Sequence, residues 1–171
     1  MFSLKDKVAI VTGASRGIGR ACKEALEEYG ARVYGFNFSD GNDVSNKEDI
    51  RSFLNGLNRL DILINSAGIT SSDWDKTIDV NLTSVYNFCE LAKEKMDNGG
   101  SIINISSINS ILGFPNNPSY VVSKHGVNGL TRSLAVDYSI RKIRVNAIAP
   151  GYIKTDMTNG SWDNKNQMIK D

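Results

Sequence analysis

The sequence predicts an α/β fold, a doubly wound parallel sheet of about five main strands. Three observations predict it. Short apolar runs alternate with helix-period segments almost from end to end, the pattern of repeated β-α-β units. A glycine-rich turn, Thr12-Gly13-Ala14-Ser15-Arg16-Gly17-Ile18-Gly19, joins the first apolar run to the first helical segment. A length of 171 residues, 40% hydrophobic and 23% charged, suits one domain over residues 1–171 with one sizeable core.

Each element follows in order. Lys7 to Thr12 (KVAIVT) is the first strand. Arg16 to Tyr29 is a helix with Ile18, Cys22, Ala25, Leu26 and Tyr29 on one face and Lys23, Glu24, Glu27 and Glu28 opposite. Gly30 ends it. Arg32 to Phe38 is the second strand. Ser45 and Glu48 read as an S-x-x-E capping box for a helix carrying Ile50, Phe53, Leu54 and Leu57. Asp61 to Asn65 is the third strand. A long helix from about Trp74 to Met96 shows the stripe Ile78, Leu82, Val85, Cys89, Ala92 and Met96. Ser101 to Ser106 is the fourth strand, and a loop with Pro115 and Pro118 follows. A helix from about Ser119 to Ser139 and a strand from Ile143 to Ala149 complete the pattern. Asn42–Val44 is at most a vestigial sixth strand. Residues 151–171 form a polar, truncated or lid-like tail.

Composition narrows the partners. A net charge of +1 with no basic run argues against nucleic acid and anionic membrane surfaces. The first ten residues lack a signal peptide's apolar region, and no stretch is long enough to span a bilayer. Cys22 and Cys89, each in a helical stripe, read as small core side chains rather than a disulfide. No Cys/His cluster has metal-ligand spacing, so no metal is expected. A reducing, cytoplasmic setting follows from these features.

Two motifs carry chemistry. In the glycine turn, Gly13, Gly17 and Gly19 let the backbone bend tightly, and the N–H groups that open the next helix can meet a pyrophosphate. Glycine also serves loops merely through its permissive backbone, so the strand-before, helix-after context matters. Tyr120 and Lys124 are one helical turn apart and share a face. An ammonium beside a phenol stabilises the phenolate and fits it to exchange a proton with a carbonyl or hydroxyl oxygen. Ser107 lies just beyond a strand's C-terminus, where ligand sites of open sheets gather. His125 reads as packing or solvent-facing, Trp74 and Trp162 as mouth residues or anchors, and Lys142 and Arg144 as a solvated edge.

Together these segments resemble the short-chain dehydrogenase/reductase family, in particular its 3-oxoacyl-ACP reductase and glucose dehydrogenase-like members. TGASRGIG, NSAG at Asn65–Gly68, VN at Val80–Asn81, INISS ending at Ser107, YVVSK at Tyr120–Lys124 and PGYIKT at Pro150–Thr155 occur in the family's order. The resemblance runs from about Lys5 to Thr155. It implies a Rossmann-type fold, a nicotinamide cofactor and oxidoreduction of a small-molecule carbonyl or alcohol. It also implies catalytic roles for Asn81, Ser107, Tyr120 and Lys124. Ser107 would orient the substrate oxygen, Tyr120 transfer the proton, and Lys124 lower the tyrosine pKa and grip the ribose. Asn81 would break its helix locally and hold a water linked to Lys124. Cofactor contacts fall on Gly13, Ser15, Arg16, Gly17, Ile18, Gly19, Asn65, Ala67, Gly68, Tyr120, Lys124, Pro150, Gly151, Ile153 and Thr155. Asp43 and Val44 match the adenine-contacting pair, or else form a polar turn.

At the ribose position an uncharged Asn37 replaces the usual acid, and Arg16 could pair with a 2′-phosphate. Both favour NADP(H), with NAD(H) as the alternative because Asp40 is near. The chain is shorter than family members between Phe38 and Asp43, between Gly68 and Val80, and after Asp171, where the last family strand would lie. Those abbreviations leave a second reading open: a nucleotide-binding or regulatory module without turnover. A homodimer or homotetramer is expected through the helices at 74–96 and 119–139, with Leu82, Val85, Phe88, Leu130 and Leu134 as surplus apolar surface.

Overall fold

The structure of the chain, a computed structural model, describes residues 3–96 and 99–158. Its elements are β1 (Val8–Thr12), α1 (Gly17–Glu28), β2 (Arg32–Phe36), α2 (Lys47–Asn55), β3 (Ile62–Asn65), α3 (Trp74–Ile78), α4 (Ser84–Ala92), β4 (Gly100–Ile105), α5 (Pro118–Asp137) and β5 (Ile143–Ile148). The strands form one parallel five-stranded sheet in the order β2-β1-β3-β4-β5. Asn42–Val44 adds no strand to it.

This order decides where the helices go. The chain steps from β1 to β2 in one direction, then back past β1 to β3 and onward to β4 and β5. Parallel crossovers are right-handed, so reversing direction changes the face that the connecting helix covers. Accordingly α1 packs on one face, while α2, α4 and α5 pack on the other. The reversal lies between β1 and β3, and a crevice opens there beyond the strands' C-terminal ends.

The two faces differ in depth. On the first, Ile10, Phe36, Leu63 and Ile102 meet Ile50 and Leu54 of α2, Phe88 and Cys89 of α4, and Val127 and Leu134 of α5. Phe36 contacts Phe53 and Phe88 edge to face, with centroids 5.1 and 4.9 Å away. On the second, Val11, Ala14 and Ile64 are buried, and Cys22, Leu26, Ile103 and Ile105 are only partly covered. In β5 the contrast is plainest, with Ile143 and Val145 buried and Arg144, Asn146 and Ile148 exposed.

Several expectations change. Ala25 and Tyr29 are exposed, because among the described residues only α1 covers that sheet face, and its inward side is Gly19, Cys22 and Leu26. Gly30 does follow α1 with φ +95, as a left-handed C-cap residue. The cap of α2 is Asn46, whose side chain accepts from the Glu48 N–H at 3.0 Å. Ser45 instead donates to the Asp43 carboxylate at 2.7 Å, a stronger charged acceptor within reach. The long helix is interrupted by a π-helical turn at Asp79–Thr83, centred on Asn81. That turn shifts the phase, so Ser84, Asn87 and Phe88 join Val85, Cys89 and Ala92 on the buried side. Val85, Phe88 and Leu134 are therefore consumed by the chain's own core, and Leu82 and Leu130 pack against it. They are no surplus for an interface. Both cysteines are free. Trp162 lies outside the described residues, as does the tail beyond Thr158.

Candidate active site

A cleft of about 960 Å³ crowns the C-terminal ends of the strands. Its floor is the turn between β1 and α1. Gly13 has φ +65, and a Cβ there would lie 2.9 Å from the Ala67 Cα, so this position demands glycine twice over. At Gly19 a Cβ would strike the Gly13 carbonyl. The turn thus coils on itself and against the segment following β3. Thr12 locks the two together, its hydroxyl accepting from the Ser66 and Ala67 N–H groups, each at 3.0 Å. No described side chain caps the first turn of α1, and that turn carries no acid. Its N–H groups and the positive end of the helix dipole face the cleft with Ser15, Arg16, Gly17 and Ile18 in its lining.

The opposite wall holds two hydroxyls and an amine. Ser107, Tyr120 and Lys124 all line the cleft. Ser107 follows β4, and its Oγ accepts from the Asn109 N–H at 3.1 Å. Ser106 lines the cleft as well, and its hydroxyl donates to the Lys124 carbonyl at 3.3 Å. Burial pushes the phenol pKa up, and the Ser107 hydroxyl draws it partly back. Burial lowers the Lys124 ammonium from 10.5 to about 8. Its Nζ donates to the Ile105 carbonyl at 2.9 Å and stands 5.6 Å from the Tyr120 ring centroid. The ammonium is engaged by a backbone carbonyl, and both groups are dehydrated.

Three expected contacts point elsewhere. Asn81, fully buried, does not line the cleft. Its Oδ1 accepts from the Ile69 N–H at 2.8 Å, and its Nδ2 donates to the Ile69 carbonyl at 2.9 Å and to Ser123 Oγ at 3.2 Å. It thereby pins the segment after Gly68 to α5. Asn65 turns into the core, where its Nδ2 donates to Asn104 Oδ1 at 2.9 Å, and Asn104 donates in turn to Thr131 at 2.9 Å. Asn37 folds back over Gly35 and donates to Asp40 Oδ2 at 2.8 Å. These asparagines hold the walls rather than face the cleft. Asp43, Val44, Ala67, Gly68, Pro150, Gly151, Ile153 and Thr155 do line it. Thr155 closes over the glycine turn, with its methyl 3.3 Å from where a Gly17 Cβ would stand.

Sequence reasoning missed other lining residues. Phe38 and Ser39 border the cleft after β2, and Asp73, Asp75, Lys76 and Asp79 form a polar wall. The shortness of the Gly68–Val80 segment was the available signal. It brings the start of α3 to the rim, fastened there by Ser119 and Thr77, whose hydroxyls both donate to the Ser71 carbonyl. His125 is exposed, with Nδ1 3.0 Å from the Val121 carbonyl. Among the described residues no group of three or more His, Cys, Asp or Glu side chains could hold a metal, and no helix is long and apolar enough to cross a membrane.

Comparisons with known proteins agree with this layout. The family model described as enoyl-(acyl carrier protein) reductase matches residues 13–171. The chain is 36% identical to a 3-oxoacyl-[acyl-carrier-protein] reductase of Chlamydia muridarum, covering 98% of this chain and 82% of the relative. It is 39% identical to the corresponding reductase of Rickettsia prowazekii, covering 92% and 77%. Among solved structures, Thermoplasma acidophilum aldohexose dehydrogenase superposes with a TM-score of 0.88 at 35% identity, covering 94% of this chain and 72% of that one. The NADP active-site complex of RhlG from Pseudomonas aeruginosa superposes at 0.84 and 31% identity, covering 93% and 77%. The chain belongs to the short-chain dehydrogenase/reductase family and is an oxidoreductase of that family.

Proposed function

We propose that the chain interconverts a small-molecule carbonyl and secondary alcohol with a nicotinamide dinucleotide, NADP(H) in preference to NAD(H), through Ser107, Tyr120 and Lys124. The observation that carries this reading is that Ser107, Tyr120 and Lys124 line the same cleft as the glycine turn. When bound, the cofactor supplies or accepts the hydride. The residues fit it. Gly13 and Gly19 leave the backbone bare where a pyrophosphate approaches the uncapped start of α1. A Cβ on Gly68 would fall 3.3 Å from Asn81 Oδ1 and 3.7 Å from Lys124 Nζ, so glycine keeps open a space that a ribose hydroxyl or a water could share.

In this reading Ser107 orients the substrate oxygen and Tyr120 gives or takes its proton at the phenol. Lys124, released from the Ile105 carbonyl, steadies the phenolate and the ribose. Asn81 is a positioning residue that holds the Ile69 segment and α5 together. Arg16 in the lining supports NADP(H) through its charge. Asn37 supports it only by lacking charge, since its amide is engaged by Asp40. A homodimer or homotetramer through α4 and α5 remains part of the proposal, now resting on exposed Tyr86, Val122 and Val136. A reducing, cytoplasmic setting suits the free thiols. Titration with NADPH and NADH, joined to turnover of a 3-oxoacyl thioester and carbonyl panel, tests the reading. Binding with turnover is expected. Binding without turnover on any carbonyl would favour the regulatory module instead, and tighter NADH would reverse the cofactor preference.

A further inference from the structure

We infer that Phe38 is the platform on which the adenine ring of the dinucleotide stacks, an inference that rests on the nicotinamide reading above. Phe38 is 80% exposed yet lines the cleft. It is not a loose side chain on a loose loop. The turn that carries it is closed by Asp40 N–H to the Asn37 carbonyl at 3.0 Å, Gly41 N–H to the Phe38 carbonyl at 3.1 Å and Asn42 N–H to the Asn37 carbonyl at 3.2 Å. Asp40 braces it further, accepting from Asn37 at 2.8 Å and from Ser39 at 3.0 Å. Gly41, with φ +83, makes the exit. A fixed turn therefore holds a phenyl ring in water at the edge of a cleft, where any flat apolar partner gains by covering it.

Sheet order says which partner. The phosphate-binding turn follows β1, and Ser107 follows β4 on one side of it. Phe38 follows β2 on the other side, where Phe36 is in register with Thr12 and accepts from the Gly13 N–H at 2.9 Å. Adjacent strands are about 4.8 Å apart, so β2 and β4 lie roughly 14 Å apart, with the phosphate site between them. A dinucleotide anchored by its pyrophosphate that sends one ring toward Tyr120 must send the other toward β2. That second ring is the purine, and a purine stacks well on an aromatic face. Val44, also in the lining, offers the opposing apolar surface from the same short connection. The abbreviated segment between Phe38 and Asp43 thus places both.

Calorimetric titration of the parent, Phe38→Ala and Phe38→Trp with ADP-ribose and with nicotinamide mononucleotide tests the inference. Phe38→Ala should weaken ADP-ribose about tenfold while leaving nicotinamide mononucleotide unchanged, and Phe38→Trp should restore or exceed the parent affinity. Equal ADP-ribose affinity in parent and Phe38→Ala overturns the stacking role and leaves the nicotinamide reading intact. Equal weakening of both fragments also overturns it, since a disturbed turn would then be the cause. A parent that binds neither fragment sinks the nicotinamide reading and this inference together.

Discussion

On one face of the sheet, Phe36, Leu63 and Ile102 lie under α2, α4 and α5; on the other, Val11 and Ile64 lie under α1, and Ile148 beyond it is exposed. Both faces are built from the same strands with the same alternation of side chains. Topology makes them unequal. Once the chain turns back at β1, every later crossover moves in one direction, and right-handedness sends each to the same side. The stability of this protein is therefore concentrated on the face that carries α5, the helix of Tyr120 and Lys124. The glycine turn belongs to the thinner side, where less packing resists its special backbone. A parallel sheet usually has both faces covered, so the exposed Arg144, Asn146 and Ile148 make β5 the place where this fold departs furthest from the rule.

That contrast can be broken or sharpened by substitution. The largest effect should come at the catalytic wall and touch activity alone. Tyr120→Phe keeps the ring but removes the hydroxyl, so turnover should fall roughly 100- to 10,000-fold while thermal unfolding stays close to the parent's. An active Tyr120→Phe enzyme would remove the proton-transfer role.

Next, Phe88→Ala on the thick face should cost about 3–5 kcal/mol in urea unfolding, because its ring is fully buried against Phe36. Leu26→Ala on the thin face should cost about 1–2 kcal/mol, since that side chain is only partly covered. Equal losses would mean that the two faces share the load.

Lys124→Met probes what the site itself costs the thick face. Burial holds this lysine at about 8 against 10.5 for the ordinary side chain, so the folded chain binds fewer protons between those values. Stability of the parent should accordingly rise with pH across that window, and its penalty is fully present below pH 8. Cys22, Cys89 and Tyr120, all raised by burial, pull the other way at higher pH. They are common to both proteins, so the difference between parent and variant isolates the lysine. At pH 7 the variant should be more stable by roughly 2–3 kcal/mol, a gap that closes toward pH 10. A gap independent of pH would show that the ammonium is not strained by burial.

The smallest effect is expected at Ile148→Thr, within about 0.5 kcal/mol, because the side chain is half in water. A loss well beyond that would reveal a cover over the thin face in solution.

Much of the site was legible before any tertiary contact was known. TGxxxGxG between a strand and a helix fixed the turn, and the one-turn spacing of Tyr120 and Lys124 fixed their common wall. Distance along the chain favoured Ser107 over Ser106, and both line the cleft. Helix faces were read less well. Ala25 and Tyr29 satisfy the periodicity of a buried stripe, yet among the described residues no second helix packs on that side to bury them. The π-helical turn at Asn81 likewise rotated the buried face of α4 away from a simple repeat.

By itself the sequence determined the number and chain order of the strands and the glycine turn, because each depends on local periodicity or on short, fixed spacing; Ser107, Tyr120 and Lys124 it marked only through the family resemblance. Tertiary structure decided where Asn81 and Asn65 aim, whereas Asn37 meets a neighbour only three residues on. Asn81 finds Ile69 twelve residues away and Asn65 finds Asn104 thirty-nine away, while Asn37 bends back to Asp40 once Gly35 leaves it room. An amide side chain donates and accepts equally well, so its local sequence does not choose between cleft and core. The partners that the fold brings within 3 Å make that choice.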